Sequence, residues 1–227
     1  MPAALPHRAT LLLNGFETHD VRRLVLSRPE GLRLRPGQAL RLAIDAPGWR
    51  ERPRPFTPTG LPGELALELV VKIYRERGGV TAHLEALEPG AGLLLSEPYG
   101  GGAYRRGPGL FVAAGSGITP FLALLRDLAR RGGLAGHRLV YVNRTPADVI
   151  AEKELRHLLG PDAVFLCTRE AAPGCRAGRP DRAFWEGLLA RPGWGEGPVY
   201  LCGPPAFVAA VRTDLEALGR GVEALAF

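Results

Sequence analysis

Hydrophobic and polar positions follow two different patterns along the chain, one in each half. In the first hundred residues, short apolar or alternating runs are separated by Pro-Gly pairs, a pattern typical of antiparallel strands joined by tight turns. The predicted strands cover residues 22–27, 39–44, 65–74 and 93–96. One stretch with helical spacing, residues 79–87, interrupts them. This half is therefore predicted to be a small antiparallel β-barrel.

Beyond residue 109 the pattern changes to strands that alternate with helices. The predicted strands cover 110–114, 138–143, 163–168, 199–202 and 222–227, and the helices 120–131, 146–159, 182–190 and 205–218. Thr119-Pro120 and Thr145-Pro146 are each typical of an N-cap followed by the first helical residue. This alternation predicts a parallel α/β sheet that binds ligands outside the carboxyl ends of its strands. We place the domains at residues 1–104 and 105–227.

Composition and charge exclude several classes of function. The net charge is +6, but the basic residues are interspersed with acidic ones, so no nucleic-acid-binding arm is predicted. No apolar run approaches the roughly 20 residues of a membrane helix, and the start of the chain lacks the apolar segment of a signal peptide. We therefore expect a cytoplasmic protein that binds neither nucleic acid nor a membrane.

The cysteines predict neither a disulfide framework nor a metal site. Cys167, Cys175 and Cys202 are odd in number and lack C-x-x-C spacing. A structural zinc site or an iron–sulfur cluster needs more ligands than this pattern offers. If electrons move through this protein, an organic cofactor carries them.

The stretch that joins strand 110–114 to the next helix is the first candidate for binding chemistry. Gly115-Ser116-Gly117 lies between a buried strand and a helix that begins near Thr119-Pro120. Two glycines allow a ligand's phosphates to approach backbone N–H groups at the positive end of the helix. A tight βα turn without a ligand explains the same residues equally well.

Other candidate residues lie at strand ends and turns. Taken singly, each of these segments also fits an ordinary turn, a solvated arginine or, for Cys202, a small buried hydrophobic residue. They are Arg54-Pro55-Phe56-Thr57, Gly79-Val80-Thr81, Cys202-Gly203-Pro204, and the arginines Arg144 and Arg169 that follow predicted strands.

Taken in order, these segments resemble the motifs of the ferredoxin–NADP reductase family, in its two-domain form without an iron–sulfur domain. Arg54-Pro55-Phe56-Thr57 is similar to the Arg-x-Tyr-Ser flavin motif, with Phe and Thr in place of Tyr and Ser. Gly79-Val80-Thr81 is similar to the Gly-x-Ser pyrophosphate turn. The stretch from Gly115 to Pro120 matches Gly-x-Gly-x-x-Pro, and Cys202-Gly203-Pro204 matches the Cys-Gly-Pro nicotinamide motif.

The resemblance implies a flavin-binding barrel at 1–104 and an NAD(P)-binding α/β domain at 105–227. Arg54 would bind the flavin pyrophosphate, Phe56 would lie against the isoalloxazine, and Thr57 would hydrogen-bond near its N5 atom. Further contacts to the flavin would come from Pro55, from Val71, Lys72 and Ile73 along the ribityl side, and from Gly79, Val80 and Thr81 at the phosphates.

The second domain would hold the pyridine nucleotide. The residues implied for it are Gly115, Ser116, Gly117, Thr119 and Pro120 at the turn, Cys202, Gly203 and Pro204 at the nicotinamide, and Thr168 and Arg169 at the 2′-phosphate of NADP. Arg144, from its position after a predicted strand, could also hold a phosphate on the adenosine ribose. The resemblance makes Thr57, Cys202 and Phe227 the catalytic residues, with Phe227 shielding the flavin.

The implied reaction passes hydride from NADPH or NADH to FAD, and then electrons to a one-electron carrier such as ferredoxin, flavodoxin or a haem protein. The family's habit favours FAD over FMN. One alternative is a methyltransferase that uses S-adenosylmethionine, although Ala113-Ala114 stands where such enzymes usually carry an acidic residue. The other is a non-enzymatic subunit that binds a flavin or nucleotide and senses redox state. A P-loop is excluded, because the chain lacks Gly-Lys-Ser/Thr.

Overall fold

The computed structural model describes residues 4–101, 104 and 107–225. Contacts between Cα atoms divide these residues into two compact units. The first comprises residues 4–101 and 122–127, and the second comprises the remaining described residues. The two units therefore do not follow a single cut in the sequence, and the domain boundary between residues 104 and 105 stays a prediction.

The first unit is an antiparallel barrel. Its elements are β1 (His7–Thr18), β2 (Val21–Ser27), β3 (Leu40–Ile44), β4 (Arg54–Phe56), β5 (Ala66–Lys72), helix α1 (Val80–Glu85) and β6 (Gly92–Leu95). The strand order is β4-β3-β6-β1-β2-β5, and each pairing between neighbours is antiparallel. Pro58, just past edge strand β4, forms a bridge with Leu69 of the opposite edge strand β5, which closes the sheet as predicted.

Strand β1 is an element of the barrel that the sequence pattern does not predict. It is 12 residues long and pairs with both β2 and β6. Its interior contains Asn14-Gly15, a pair typical of turns, and two irregularities in its register with β2 break the alternation. Inward-facing leucines of β1, β2, β3, β5 and β6 fill the core, among them Leu11, Leu24, Leu42, Leu69 and Leu95.

The second unit is built on a parallel sheet. Its strands are β7 (Leu110–Ala114), β8 (Arg138–Asn143), β9 (Ala163–Cys167), β10 (Arg176–Ala177), β11 (Val199–Cys202) and β12 (Val222–Ala224). Their order in the sheet is β10-β9-β8-β7-β11-β12. The chain runs from β7 to β8, β9 and β10 on one side, and later returns to the other side of β7 as β11. The strand order thus reverses between β7 and β11, the place where parallel α/β sheets bind ligands.

The helices agree with the sequence pattern except at two starting points. Their bounds are α2 (Thr119–Arg130), α3 (Glu152–Leu159), α4 (Arg182–Leu189) and α5 (Pro205–Ala217). The prediction of Thr119 as an N-cap is wrong, because Gly115–Ile118 forms a 3-10 turn and Thr119 already has helical dihedral angles. The single helix predicted over 146–159 is also wrong. Thr145 and Asp148 cap only a short 3-10 turn, and α3 begins after Ala151, whose φ is +51°.

The expectation that the cysteines form no disulfide is wrong. Cys167 and Cys175 are bonded to each other, and Cys202 is a buried free cysteine. The two-residue strand β10, which the sequence does not predict, pairs with the end of β9 and returns the chain to the side of Cys167. Sequence spacing alone does not indicate this return.

Among residues 4–101, 104 and 107–225, no helix combines the length and the apolar character that crossing a bilayer requires.

Asn14 generates a prediction for the stability of the barrel. Its side-chain nitrogen lies within hydrogen-bond distance of the carbonyl oxygens of Leu84, Glu85 and Leu87, at 3.0, 3.2 and 2.9 Å. Glu85 is the last residue of α1 and Leu87 lies two residues beyond it, so Asn14 supplies a side-chain donor where the helix ends, although Leu84 O also accepts from Leu87 N–H at 3.4 Å. Asn14→Ala should therefore lower the free energy of unfolding by about 1–3 kcal/mol in urea titrations.

The matched control is Leu12→Ala, on the same strand but with a side chain that is 51% exposed. It should change the free energy of unfolding by less than about 0.5 kcal/mol. Equal losses for the two variants would contradict the capping role of Asn14.

Candidate functional site

The Arg54-Pro55-Phe56-Thr57 segment lies at the edge of the barrel. Strand β4 pairs with β3, with Phe56 opposite Leu40, and Phe56 packs half-buried against the core. Thr57 is 6% exposed, whereas Arg54 is exposed. The Arg54 guanidinium donates to the carbonyl of Pro53 at 3.0 Å and forms no salt bridge with any residue in the described part of the chain. The segment thus combines the unpaired cation of Arg54 with the aromatic ring of Phe56 and the buried hydroxyl of Thr57.

Strand β5 approaches this segment through the bridge that closes the barrel. Thr59 N–H, two residues past Thr57, donates to Glu68 O at 2.9 Å. Val71 and Ile73 are 1% and 4% exposed and face the core, and Lys72 Nζ lies 2.7 Å from Asp20 Oδ2. These side chains contact other residues of the barrel, and the contact of residues 71–73 with a ligand stays a prediction.

The Gly79-Val80-Thr81 turn precedes α1 directly. Gly78 adopts a left-handed conformation, with φ of +52°, and Gly79 is the N-cap. Val80 packs into the core, and the Thr81 hydroxyl accepts from the N–H of Tyr74 at 3.3 Å. The N–H groups of the first helical turn have no acceptor within the helix and can serve an anion.

In the second unit, the Gly115-Ser116-Gly117 turn lies at the carboxyl end of β7. Gly115 has φ of +53°, a conformation that favours glycine, and its carbonyl accepts from the Tyr141 hydroxyl at 2.9 Å. A Cβ atom on Gly117 would overlap the carbonyl oxygen of Cys202 and lie 2.8 Å from Cα of Gly203. The structure thus brings the predicted phosphate turn and the Cys202-Gly203-Pro204 segment into direct contact.

Cys202 ends β11 opposite Ala113 of β7. The residue is 7% exposed, and this burial raises the pKa of its thiol from an ordinary value of 9.0 to about 11, so the thiol is neutral near pH 7. Packing within the second unit explains why position 203 is a glycine, because a Cβ atom there would lie 2.9 Å from Phe207 Cδ1 and 3.0 Å from Ala114 Cβ. Pro204 is the N-cap of α5.

The loops after β8 and β9 are bonded to each other. Thr168 N–H donates to Asn143 O at 2.9 Å, and Arg169 N–H donates to Arg144 O at 2.8 Å. Arg144 and Arg169 are both exposed, and neither forms a salt bridge with a described residue. The structure thus places the two arginines predicted to bind a phosphate on adjoining loops at the carboxyl edge of the sheet.

Asn143 is a candidate site residue that the sequence analysis does not identify. It ends β8 at the carboxyl edge of the sheet and is 5% exposed, yet neither polar atom of its side chain has a hydrogen-bond partner. A buried amide without partners is costly unless a ligand or water completes its bonds. The sequence signal is weak, because a lone Asn at a strand end is common.

The residues of each unit suit the ligand that its sequence motifs imply, a flavin in the first unit and a pyridine nucleotide in the second. In the first unit, the unpaired Arg54 and the free N–H groups before α1 suit the phosphates of a flavin. In the second, the glycine turn, the orphaned amide of Asn143 and two unpaired arginines suit a phosphorylated nucleotide. Phe227 lies outside the described residues, so its role stays a prediction.

Comparison with protein-family models gives two matches. Residues 9–104 match the oxidoreductase FAD-binding domain, and residues 111–213 match the oxidoreductase NAD-binding domain. Both are oxidoreductase domains, so the methyltransferase interpretation is wrong.

Curated relatives and solved structures agree with these matches. The chain is 30% identical to the ferredoxin--NAD(P)(+) reductase component of the naphthalene 1,2-dioxygenase system of Pseudomonas putida, over 93% of this chain and 65% of that protein. It is also 30% identical to NADH-cytochrome b5 reductase 1 of Ajellomyces capsulatus, over 87% of this chain and 68% of that protein. The chain spans 62% and 65% of the length of the two naphthalene dioxygenase reductase components that it matches.

A solved structure shows the same fold at lower identity. The ferredoxin NADP+ reductase of Neisseria gonorrhoeae, with bound FAD and NADP, superposes with a TM-score of 0.81 at 21% identity, covering 96% of this chain and 97% of that one. The barrel, the parallel sheet, the two domain models and the relatives at 30% identity point to one assignment. The chain belongs to the ferredoxin–NADP reductase-like flavoprotein family, which joins an FAD-binding domain to an NAD-binding domain.

Proposed function

We propose that this protein takes hydride from NADPH or NADH onto FAD and passes electrons to a one-electron carrier protein. The observation that carries the proposal is the contact of Gly117 with Cys202 and Gly203 where the strand order reverses. This contact joins a phosphate-binding turn to a small, uncharged surface at the carboxyl edge of the sheet. The FAD-binding domain model over residues 9–104 supports a flavin as the partner of the nucleotide.

In the first unit, the chain's own groups would bind and orient the flavin. Arg54 offers a guanidinium free to pair with the pyrophosphate, and the turn at Gly79-Val80-Thr81 offers backbone donors. Phe56 would lie against the isoalloxazine, and the hydroxyl of the buried Thr57 would hydrogen-bond near its N5 atom. When bound, the flavin accepts hydride and releases electrons singly, so these residues need only position it and tune its electronics.

In the second unit, the turn from Gly115 to Pro120 would bind the phosphates of the pyridine nucleotide. Cys202 would contact the nicotinamide as a neutral thiol, because burial raises its pKa to about 11. A neutral sulfur is a small, polarizable group that can pack against a flat ring without adding a charge to the site. The catalytic assignment of Thr57 and Cys202 therefore rests on contact, not on acid–base chemistry.

Arg144, Thr168 and Arg169 would recognise the ribose phosphate of NADPH. The two arginines are exposed and unpaired with described acidic groups, and their loops are tied by the Arg169–Arg144 backbone bond. A guanidinium pair suits a phosphate dianion, which favours NADPH over NADH. Asn143, buried at the base of these loops, would complete its hydrogen bonds on the same nucleotide.

The electron acceptor is proposed to be a protein that carries single electrons, such as ferredoxin, flavodoxin or a haem protein. Support comes from the relatives, which include a ferredoxin--NAD(P)(+) reductase component and an NADH-cytochrome b5 reductase. A net charge of +6 suits an acidic carrier. A cytoplasmic location stays a prediction.

The proposed function is tested on the purified protein. We expect a yellow protein with the visible absorption of oxidised flavin, bleached within seconds by NADPH under anaerobic conditions and recovered on addition of a one-electron acceptor. Flavin that is bound but not bleached by either NADPH or NADH would favour the non-enzymatic redox-sensing subunit. Protein that stays colourless after supplementation with FAD and FMN would refute the proposal.

Arg54→Ala is expected to weaken flavin binding. Loss of a charge-assisted contact of about 1.5–3 kcal/mol should raise the dissociation constant by about tenfold to a hundredfold, measured by titrating the flavin-free protein with FAD. Arg52→Ala removes the same charge two residues away, from a guanidinium that lies over the Trp49 ring. This control variant should change the dissociation constant for FAD little. Equal affinity in the two variants would contradict the role of Arg54.

Cys202→Ala is expected to slow hydride transfer while the flavin stays bound. Loss of the sulfur leaves the nicotinamide less well positioned, so the rate of flavin bleaching in stopped flow should fall by about tenfold to a hundredfold. Because the thiol titrates near pH 11, its contribution should be constant between about pH 6 and 9. An unchanged rate with full flavin content would remove Cys202 from the reaction.

A further inference from the structure

The Cys167–Cys175 disulfide closes the loop on which the proposed phosphate-binding residues lie. Cys167 is the last residue of β9, and Cys175 directly precedes β10. The loop between them, residues 168–174, begins with Thr168 and Arg169. Cys167 and Cys175 are 0% and 5% exposed, so both cysteines of the bond are buried.

Different hydrogen bonds hold the two ends of the loop formed by residues 168–174. At its start, Thr168 and Arg169 donate backbone hydrogen bonds to Asn143 and Arg144. At its far end, Cys175 N–H donates to Ala172 O at 2.9 Å, and Arg156 donates to Gly174 O at 2.8 Å. The disulfide is the covalent link between these two ends.

Cys167 is also the register partner of Asn143 in the β8–β9 pair. The disulfide therefore lies next to the buried amide that lacks partners, and on the strand that leads directly into Arg169. Movement of the return strand β10 away from β9 would be transmitted to the residues at the carboxyl edge of the sheet.

We propose that Cys167 and Cys175 are positioning residues for the pyridine nucleotide. Their disulfide holds Thr168 and Arg169 in the arrangement that receives the ribose phosphate, which deepens the proposed function and rests on it. A loop that is ordered before binding loses less conformational entropy when the ligand arrives. The oxidised protein should therefore bind NADPH more tightly than the reduced protein, and turn it over at the same rate once saturated.

Reduction by a dithiol such as dithiothreitol releases the loop without changing any side chain otherwise. The reagent's thiolate attacks the sulfur of Cys175, and Cys167 leaves as a thiolate that takes up a proton. The second thiol of the reagent then frees Cys175 and closes the reagent into a cyclic disulfide. Two electrons and two protons pass from the dithiol to the protein.

The starting state is verified by titrating thiols in denaturant. The oxidised chain should show one reactive thiol, from Cys202, and the reduced chain should show three. Three thiols in protein purified without any reductant would show that the bond does not form and would overturn the proposal.

The main test compares oxidised and reduced protein after anaerobic removal of the reagent. The KM for NADPH and the dissociation constant of 2′,5′-ADP, measured by calorimetry, should rise about threefold to tenfold on reduction and return on reoxidation. The bleaching rate at saturating NADPH and the KM for NADH should change less than about twofold. Identical affinities for 2′,5′-ADP in the two states would overturn the proposal.

A coupling experiment separates positioning from general stabilisation. In an Arg169→Ala background, reduction should no longer change the affinity for 2′,5′-ADP, because the residue through which the disulfide acts is gone. Cys167→Ala/Cys175→Ala should have the affinity of the reduced protein and should not respond to dithiothreitol. A full response to reduction in the Arg169→Ala background would refute action through Arg169.

Arg191→Ala is the matched control for this background. Arg191 is exposed, follows α4, and belongs neither to the loop of residues 168–174 nor to the proposed nucleotide-binding residues, so its removal should leave the response to reduction intact. Failure of the proposed function has a different signature: neither NADPH nor NADH would bleach the flavin in either redox state.

Discussion

The second unit depends on a close approach between two segments that are far apart in sequence. The backbone of Gly117 lies so near Cys202 and Gly203 that a side chain on Gly117 has no room. Gly203 in turn has no room for a side chain beside Ala114 and Phe207. These contacts hold the ends of β7 and β11 together at the place where the strand order reverses, and any phosphate or flat ring bound there meets a surface made of backbone and small side chains.

The barrel likewise depends on a contact between two segments that are separated in sequence. The bridge between Pro58 and Leu69 joins the two edge strands, which removes the free edges and at the same time fixes the segment that carries Arg54 and Thr57. Asn14 of β1 holds the end of α1, whose beginning supplies the Gly79 turn. The candidate flavin residues are thus placed by the same contacts that complete the barrel.

Charge explains why the candidate ligand residues remain available. Arg75 and Arg23 bind Glu85 and Glu17 within the barrel, and the hydrogen bond from Arg75 holds the pKa of Glu85 below its usual value. Arg54, Arg144 and Arg169 have no such carboxylate among the described residues. The unpaired arginines and the orphaned amide of Asn143 would find their partners in anionic and polar groups of ligands.

The sequence by itself determined the antiparallel-strand pattern of the first half, the strand–helix alternation of the second, most strand positions, and the glycine and cysteine motifs. It could do so because strand periodicity and turn chemistry are local properties. It also proposed Arg54, Gly117 and Cys202 as candidate site residues, since their motifs are contiguous. Only the tertiary structure decided that β1 spans Asn14-Gly15, that β10 returns Cys175 to Cys167, and that Asn143 is buried without partners. Each of these depends on which distant strand lies alongside, and the residues of one segment do not specify the neighbour that folding brings to it.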